Sequence, residues 1–269
     1  MSTIYRLLDA SRDLDTREAR WLLAQVLGWT TTRLLTEKLQ ELSPAQENAY
    51  QELCDRRRRG EPLAYLLGHW EFWSLDLVVT PAVLIPRPET ELLVEVALAS
   101  RPGNIPQKVG DLGTGSGAIA VALACERPEW QVMASDCSPA AVEIARYNAQ
   151  RLGLKVEFFT GEWLAPFCGQ RFDLIVANPP YIAPDDPHLA QLSWEPRHAL
   201  LAEADGFAAL AQIAETAREY LVPGGVLALE HGATQGVALR QLLSRLNYQE
   251  IQTLCDLEHR ERVTKALSD

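Results

Sequence analysis

The fold turns on the stretch Val109-Gly110-Asp111-Leu112-Gly113-Thr114-Gly115-Ser116-Gly117, a short apolar run closing in three alternating glycines ahead of the helical pattern Ala118–Glu126. Glycines at such a junction let the backbone turn sharply and approach a ligand closely, with the N–H groups of the helix start aimed at it. Their spacing, i, i+2 and i+4, differs from the GxGxxG order that cradles a dinucleotide pyrophosphate. Asp136 closes the next strand pattern, at the separation from which an acid reaches a ribose diol. A tight strand–helix turn alone would show the glycines without the acid. Together they point to a nucleoside-bearing cofactor.

Outward from this stretch, strand and helix patterns alternate. Strands are expected at 109–112, 131–136, 156–160, 172–177 and 226–230, with two more at 250–254 and 262–266; helices are expected at 118–126, 139–152 and 207–220. Such alternation predicts a parallel sheet covered by helices on both faces, with ligands at the carboxyl ends of the strands. Upstream, residues 72–80 (FWSLDLVVT) read as strand and so as a hairpin connector, followed by Leu84-Ile85-Pro86-Arg87-Pro88-Glu89-Thr90-Glu91 and an apolar helix at 92–99. The first seventy residues read as short helices. Asp15 caps one that ends at Gly28, and Ser43-Pro44 with Gln46 forms a capping box for another. That second helix runs to Arg56-Arg57-Arg58-Arg59, where cations suit the helix C-terminus; a docking contact for an acidic or RNA-bearing partner is the alternative.

Composition excludes several classes. With 47% hydrophobic and 23% charged residues among 269, the chain is neither disordered nor fibrous. No apolar stretch nears the roughly 18 residues of a membrane span, and the N-terminus, charged from Arg6 onward, has no signal-peptide core. Five scattered cysteines without a CxxC and five dispersed histidines fit neither a disulfide framework nor a metal site. These features point to a reducing cytoplasm. Residues 1–70 balance 10 Lys+Arg against 10 Asp+Glu, so the net charge of −11 lies wholly beyond them. An acidic body repels phosphate backbones, which favours a protein or small-molecule substrate over stable nucleic-acid binding.

Asn178-Pro179-Pro180-Tyr181 follows the apolar run at 172–177. A rigid surface turn would use the same Asn-Pro pair. A planar NH2 group, however, needs two acceptors for its two protons, and the Asn178 oxygen with a backbone carbonyl supplies them. Tyr181 adds a flat face for an amide or a base. The tetrapeptide therefore suits methylation of an amide or exocyclic nitrogen.

DLGTGSG, Asp136 and NPPY together resemble an S-adenosylmethionine-dependent nitrogen methyltransferase. The preceding LIPRPETE, with WEPRHAL (194–200) and VPGGVLALEHG (222–232), makes the whole chain similar to the peptide chain release factor glutamine methyltransferases, the PrmC/HemK family. The resemblance implies an α/β fold: a seven-stranded Rossmann-like methyltransferase domain (89–269), preceded by a helical release-factor-docking domain (1–70) and a β-hairpin linker (71–88). It implies methylation of the glutamine amide in the GGQ motif of class 1 release factors, with S-adenosylhomocysteine as product and no metal. Gly113, Thr114, Gly115, Ser116 and Gly117 would then face the methionine part of the cofactor, Asp136 its ribose and Trp163 its adenine. Asn178, Pro179, Pro180 and Tyr181 would hold the glutamine, with Asn178, Pro179 and Tyr181 as catalytic residues and Asn178 also touching the cofactor. Departures from the pattern are Gly110, expected to loosen the first strand, and Glu162 in place of an aspartate. Cys137 is read as packing and His231 as a local hydrogen-bonding group. Within enzymes the alternative is a nucleic-acid amino methyltransferase; outside them it is a non-catalytic scaffold.

Overall fold

The structure, a computed structural model, describes residues 2–103 and 105–269. The chain divides into two compact units at His69/Trp70. The first is helical: α1 (Ile4–Ala10), α2 (Thr16–Leu27), α3 (Thr31–Thr36), α4 (Pro44–Arg58) and α5 (Leu63–Leu67). Asp15 caps α2 by accepting from the backbone N–H groups of Arg17 and Glu18, and Gly28 ends it in the left-handed conformation. Both bonds of the Ser43–Gln46 capping box are made. Ile4, Leu22, Leu23, Leu34, Leu42, Tyr50 and Cys54 form the core. In the arginine run, Arg56 pairs with Glu61, Arg57 with Glu18, and Arg58 with Asp13 and Asp55. Three of its four charges are thus matched within the unit.

At the junction starts a hairpin, β1 (His69–Phe72) and β2 (Leu75–Val78), turning at Trp73-Ser74, all but its first residue in the second unit. The expected single strand over 72–80 therefore contains the turn itself. Trp73 and Ser74 both have positive φ, as a two-residue hairpin turn requires. Distant carboxylates hold this unusual pair: Trp73 donates its backbone N–H to Glu91 and its indole N–H to Glu126, each at 2.8 Å.

Then follow α6 (Glu91–Ser100), β3 (Lys108–Leu112), α7 (Ala118–Glu126), β4 (Gln131–Asp136), α8 (Pro139–Arg151), β5 (Val156–Thr160), β6 (Phe172–Ala177), α9 (Ala208–Ala217), β7 (Leu221–Glu230), α10 (Gly236–Arg245), β8 (Gln249–Cys255) and β9 (Glu261–Leu267). Seven strands form one sheet in the order β5-β4-β3-β6-β7-β9-β8. The sheet is mainly parallel as expected, but β9 runs antiparallel to both neighbours, because β8 and β9 are joined by a tight turn rather than a crossover helix. Helix α10 was not expected; no side chain caps its start, so the usual N-terminal signal is missing.

Strand side chains alternate between two cores. Val132, Ala134, Leu174, Val176, Val226 and Ala228 face α6, α7 and α8; Met133, Ile175, Ala177, Leu227 and Leu229 face α9 and α10. Gly110, expected to loosen the first strand, instead accommodates the fully buried Phe172 ring, which lies 3.3 Å from where a Cβ would stand. Asn148 of α8 is buried at the edge of this core. Its amide donates to the carbonyls of Val78 (3.0 Å) and Ser116 (2.9 Å), and its oxygen accepts from Val78 N–H (2.8 Å).

Removing that amide orphans three backbone groups, and an unsatisfied buried group costs about 1–3 kcal/mol. Asn148→Ala is expected to destabilise this unit by about 2 kcal/mol or more, measured by urea denaturation.

Candidate active site

The parallel register brings the site together. Leu112 pairs with Ser135 on one side and Ala177 on the other, and Ala177 pairs with Leu229. The residues just beyond these, Gly113, Asp136, Asn178 and Glu230, therefore share the carboxyl edge of the sheet.

The glycine loop is bound to the second strand. The N–H groups of Gly113 and Thr114 both donate to the Ser135 carbonyl, at 2.8 and 2.9 Å. Gly115 donates to Asp136 Oδ2 at 2.9 Å, and Ser138 N–H to Oδ1 at 2.9 Å. Each Asp136 oxygen thus takes one backbone bond and keeps a further lone pair. Gly115, at φ +56, has open space where a Cβ would point, whereas a Cβ on Gly113 would come within 3.0 Å of the Trp163 ring. Thr114 and Ser116 turn inward and are buried, and Gly117 caps α7.

Gly113, Gly115, Asp136, Trp163, Asn178 and Pro180 line a cavity of about 370 Å³. Glu162, placed where an aspartate was expected, is on its wall. So is Cys137, which is exposed rather than packed; partial desolvation and the neighbouring Asp136 carboxylate raise its thiol pKa. A second cavity of about 250 Å³ adjoins the first, and Asn178, Pro179, Pro180 and Tyr181 all line it. Asn178 and Pro180 border both.

Asn178 donates its amide to Thr90 Oγ1 at 3.0 Å. Tyr181 donates its hydroxyl to Glu230 Oε1 at 3.4 Å. Glu230 is 1% exposed, and burial pushes its pKa up to about 7. Above, Arg87 of the IPRPET segment forms an ion pair with the buried Glu195 of WEPRHAL, and Ile85 N–H donates to the same carboxylate at 3.1 Å. His231 is wholly buried, bonded to the Gly232 carbonyl and the Thr264 hydroxyl; burial lowers its pKa.

Sequence reasoning passed over Asp111, Thr90 and Glu230 as site residues. Asp111 lies beneath the loop, where Oδ2 accepts from the Thr114 hydroxyl (2.6 Å) and Ala120 N–H (3.2 Å) while Oδ1 has no partner. Burial, with Asp136 nearby, raises its pKa to about 7. Its place at the head of DLGTGSG was the available signal.

Residues 2–68 match the family model of the PrmC N-terminal domain, and residues 88–253 that of the methyltransferase small domain. The release factor glutamine methyltransferase of Salmonella typhimurium is 46% identical over 266 residues, covering 97% of this chain and 96% of that protein. That of Bordetella pertussis is 48% identical over 265 residues, covering 97% and 98%. Among solved structures, a methyltransferase from Pyrococcus furiosus shares the fold with a TM-score of 0.56 at 19% identity, over 72% of this chain and 88% of that one. A site at the carboxyl edge of this sheet, two matching domain models and near-full-length identity agree: the chain belongs to the release factor glutamine methyltransferase family.

Proposed function

We propose that this protein methylates the side-chain amide nitrogen of the glutamine in the GGQ motif of class 1 peptide chain release factors, using S-adenosylmethionine and releasing S-adenosylhomocysteine. The observation that carries this reading is the position of Asn178. Its nitrogen is committed to Thr90, so its oxygen is the end left for a substrate, at the border of the larger cavity and the smaller one.

The larger cavity suits the cofactor. Its volume falls within the range of small-molecule sites, Gly115 leaves open space beside the loop, and Asp136 retains lone pairs for a diol. S-adenosylmethionine supplies a methyl group on a positively charged sulfur, and hence an electrophilic carbon. Asp136 would hold the ribose hydroxyls and Trp163 would lie against the adenine. The loop residues Gly113 and Gly115 would meet the methionine part, with Thr114, Ser116 and Gly117 shaping the loop behind them.

An amide nitrogen is a weak nucleophile because its lone pair is delocalised into the carbonyl. The residues therefore contribute mainly alignment. Asn178 Oδ1 takes one amide proton and the Pro179 carbonyl the other, while Pro180 and Tyr181 wall the side chain. Orientation supplies up to roughly 7–11 kcal/mol in well-aligned model reactions. Acceptors fixed on both N–H bonds also stabilise the positive charge that develops on nitrogen. No side chain need act as a strong base, because the proton becomes acidic once nitrogen is methylated.

The helical unit is assigned to docking the release factor. It exposes Tyr5, Trp21, Leu35 and Leu39, apolar groups available to a protein partner. Such a role would belong to translation termination in the cytoplasm. Among the described residues no helix is long and apolar enough to cross a membrane.

Three measurements test this reading. Asp136→Ala is expected to weaken cofactor binding by about 10- to 100-fold in calorimetry, since a charge-assisted contact is worth roughly 1.5–3 kcal/mol; unchanged affinity removes Asp136 from the site. In single-turnover transfer at saturating cofactor, Asn178→Ala is expected to lose about 10²-fold or more in rate, with near-normal transfer refuting its role. The double variant Leu35→Ala/Leu39→Ala should raise KM for intact release factor about tenfold while leaving that for a short GGQ peptide unchanged. An equal rise for both would locate the effect outside docking.

A further inference from the structure

The two ends of the Asn178 amide have the same shape and differ only in hydrogen-bond polarity. Packing cannot choose between them, so a bonded partner must. That partner is Thr90, buried in the turn before α6, whose Oγ1 lies 3.0 Å from Asn178 Nδ2. A threonine hydroxyl both donates and accepts, so Thr90 selects one end of the amide only if its own proton is committed elsewhere.

Glu230 provides that commitment. Its carboxylate, at the end of β7, is buried, and the nearby Thr90 hydroxyl favours its ionised form. Oε2 has no aligned donor in the structure, and Tyr181 approaches Oε1. An ionised carboxylate only accepts. A Thr90 hydrogen turned about its C–O bond toward this carboxylate would leave the hydroxyl lone pairs to Asn178. We propose that Thr90 is a positioning residue for methyl transfer, holding the Asn178 oxygen toward the substrate because Glu230 takes the Thr90 proton. This rests on the reading above, in which Asn178 accepts a substrate amide proton.

The arrangement depends on the charge of Glu230. Burial opposes that charge most strongly; the Thr90 hydroxyl, Arg262 of β9 and the Tyr181 hydroxyl favour it, and Glu89 opposes it, leaving the pKa at about 7. Above that value the carboxylate accepts and the relay runs from Asn178 through Thr90 to Glu230. Below it, protonated Glu230 donates to Thr90, which then gives its own proton to Asn178. The amide turns over and presents its NH2 to the substrate NH2, donor against donor. Transfer should therefore be slow on the acid side and rise with pH.

The test is single-turnover methylation of intact release factor at saturating cofactor across about pH 6–9, with cofactor affinity measured in parallel. Wild type is expected to lose about tenfold in rate from the alkaline plateau to pH 6. Thr90→Val should be slower by about 10²-fold with no acid limb, Thr90→Ser should restore both rate and limb, and Glu230→Gln should abolish the limb. A purely structural role would reduce stability or cofactor affinity and leave the shape of the profile alone. Thr90→Val with wild-type rate and profile, beside a slow Asn178→Ala, overturns the relay and leaves the role of Asn178 standing. Near-normal transfer by Asn178→Ala overturns both. Should Thr90→Val fail to bind cofactor, Glu230→Gln decides: a retained acid limb refutes the relay and a lost one supports it.

Discussion

A chain leaving a buried strand for a helix within a few residues, while keeping space for a ligand, has few backbone conformations available. Here it uses three residues at positive φ, Gly113, Gly115 and Gly117, where a side chain would add about 1–3 kcal/mol of strain. Their freedom is then removed by outside bonds. Ser135 takes two N–H groups of the loop, Asp136 takes a third, and Asn148 takes the Ser116 carbonyl. Because Asn148 also grips Val78 of the hairpin, the loop, α8 and the hairpin form one hydrogen-bonded assembly. Much of what surrounds the larger cavity is support for this turn.

The opposite wall is built on a different principle. Residues 178–181 obtain rigidity from two prolines and position from the end of β6 and the bonds of Asn178 to Thr90 and Tyr181 to Glu230, and an ion pair braces the segments beside them. Arg87 and the buried Glu195 pair across more than a hundred residues of sequence, and with one partner removed the other would be left without its counter-charge. This explains why IPRPET and WEPRHAL mark the chain together: each contains one half of a single interaction. Glu230 is a second buried carboxylate at this wall, where it accepts from the Tyr181 hydroxyl.

The sequence exposed those parts of the structure that depend on local pattern. Buried parallel strands read as short apolar runs, and the capping signals of Asp15, Gly28 and Ser43 act within a few residues of themselves. The position of the hairpin turn was hidden because Trp73-Ser74 has none of the Gly, Asn or Asp usual at two positive-φ positions and is held by Glu91 and Glu126. The reversed direction of β9 was hidden because side-chain alternation carries no information on strand sense. In the site, the glycine loop, Asp136 and NPPY were legible as motifs. Thr90, Glu230 and Asp111 were not, since their roles exist only once separate strands and turns align in register. Gly110 shows the same limit from the other side, since its apparent defect is filled by Phe172, sixty-two residues away in sequence.

Cys137 carries a consequence for chemical durability. A thiol on the wall of the larger cavity would be a weakness if it ionised readily, because the thiolate is the form that peroxides and electrophiles attack. Partial desolvation and the neighbouring Asp136 carboxylate both favour the protonated thiol. Desolvation and the acid that organises the glycine loop thus both disfavour the reactive thiolate at this exposed sulfur.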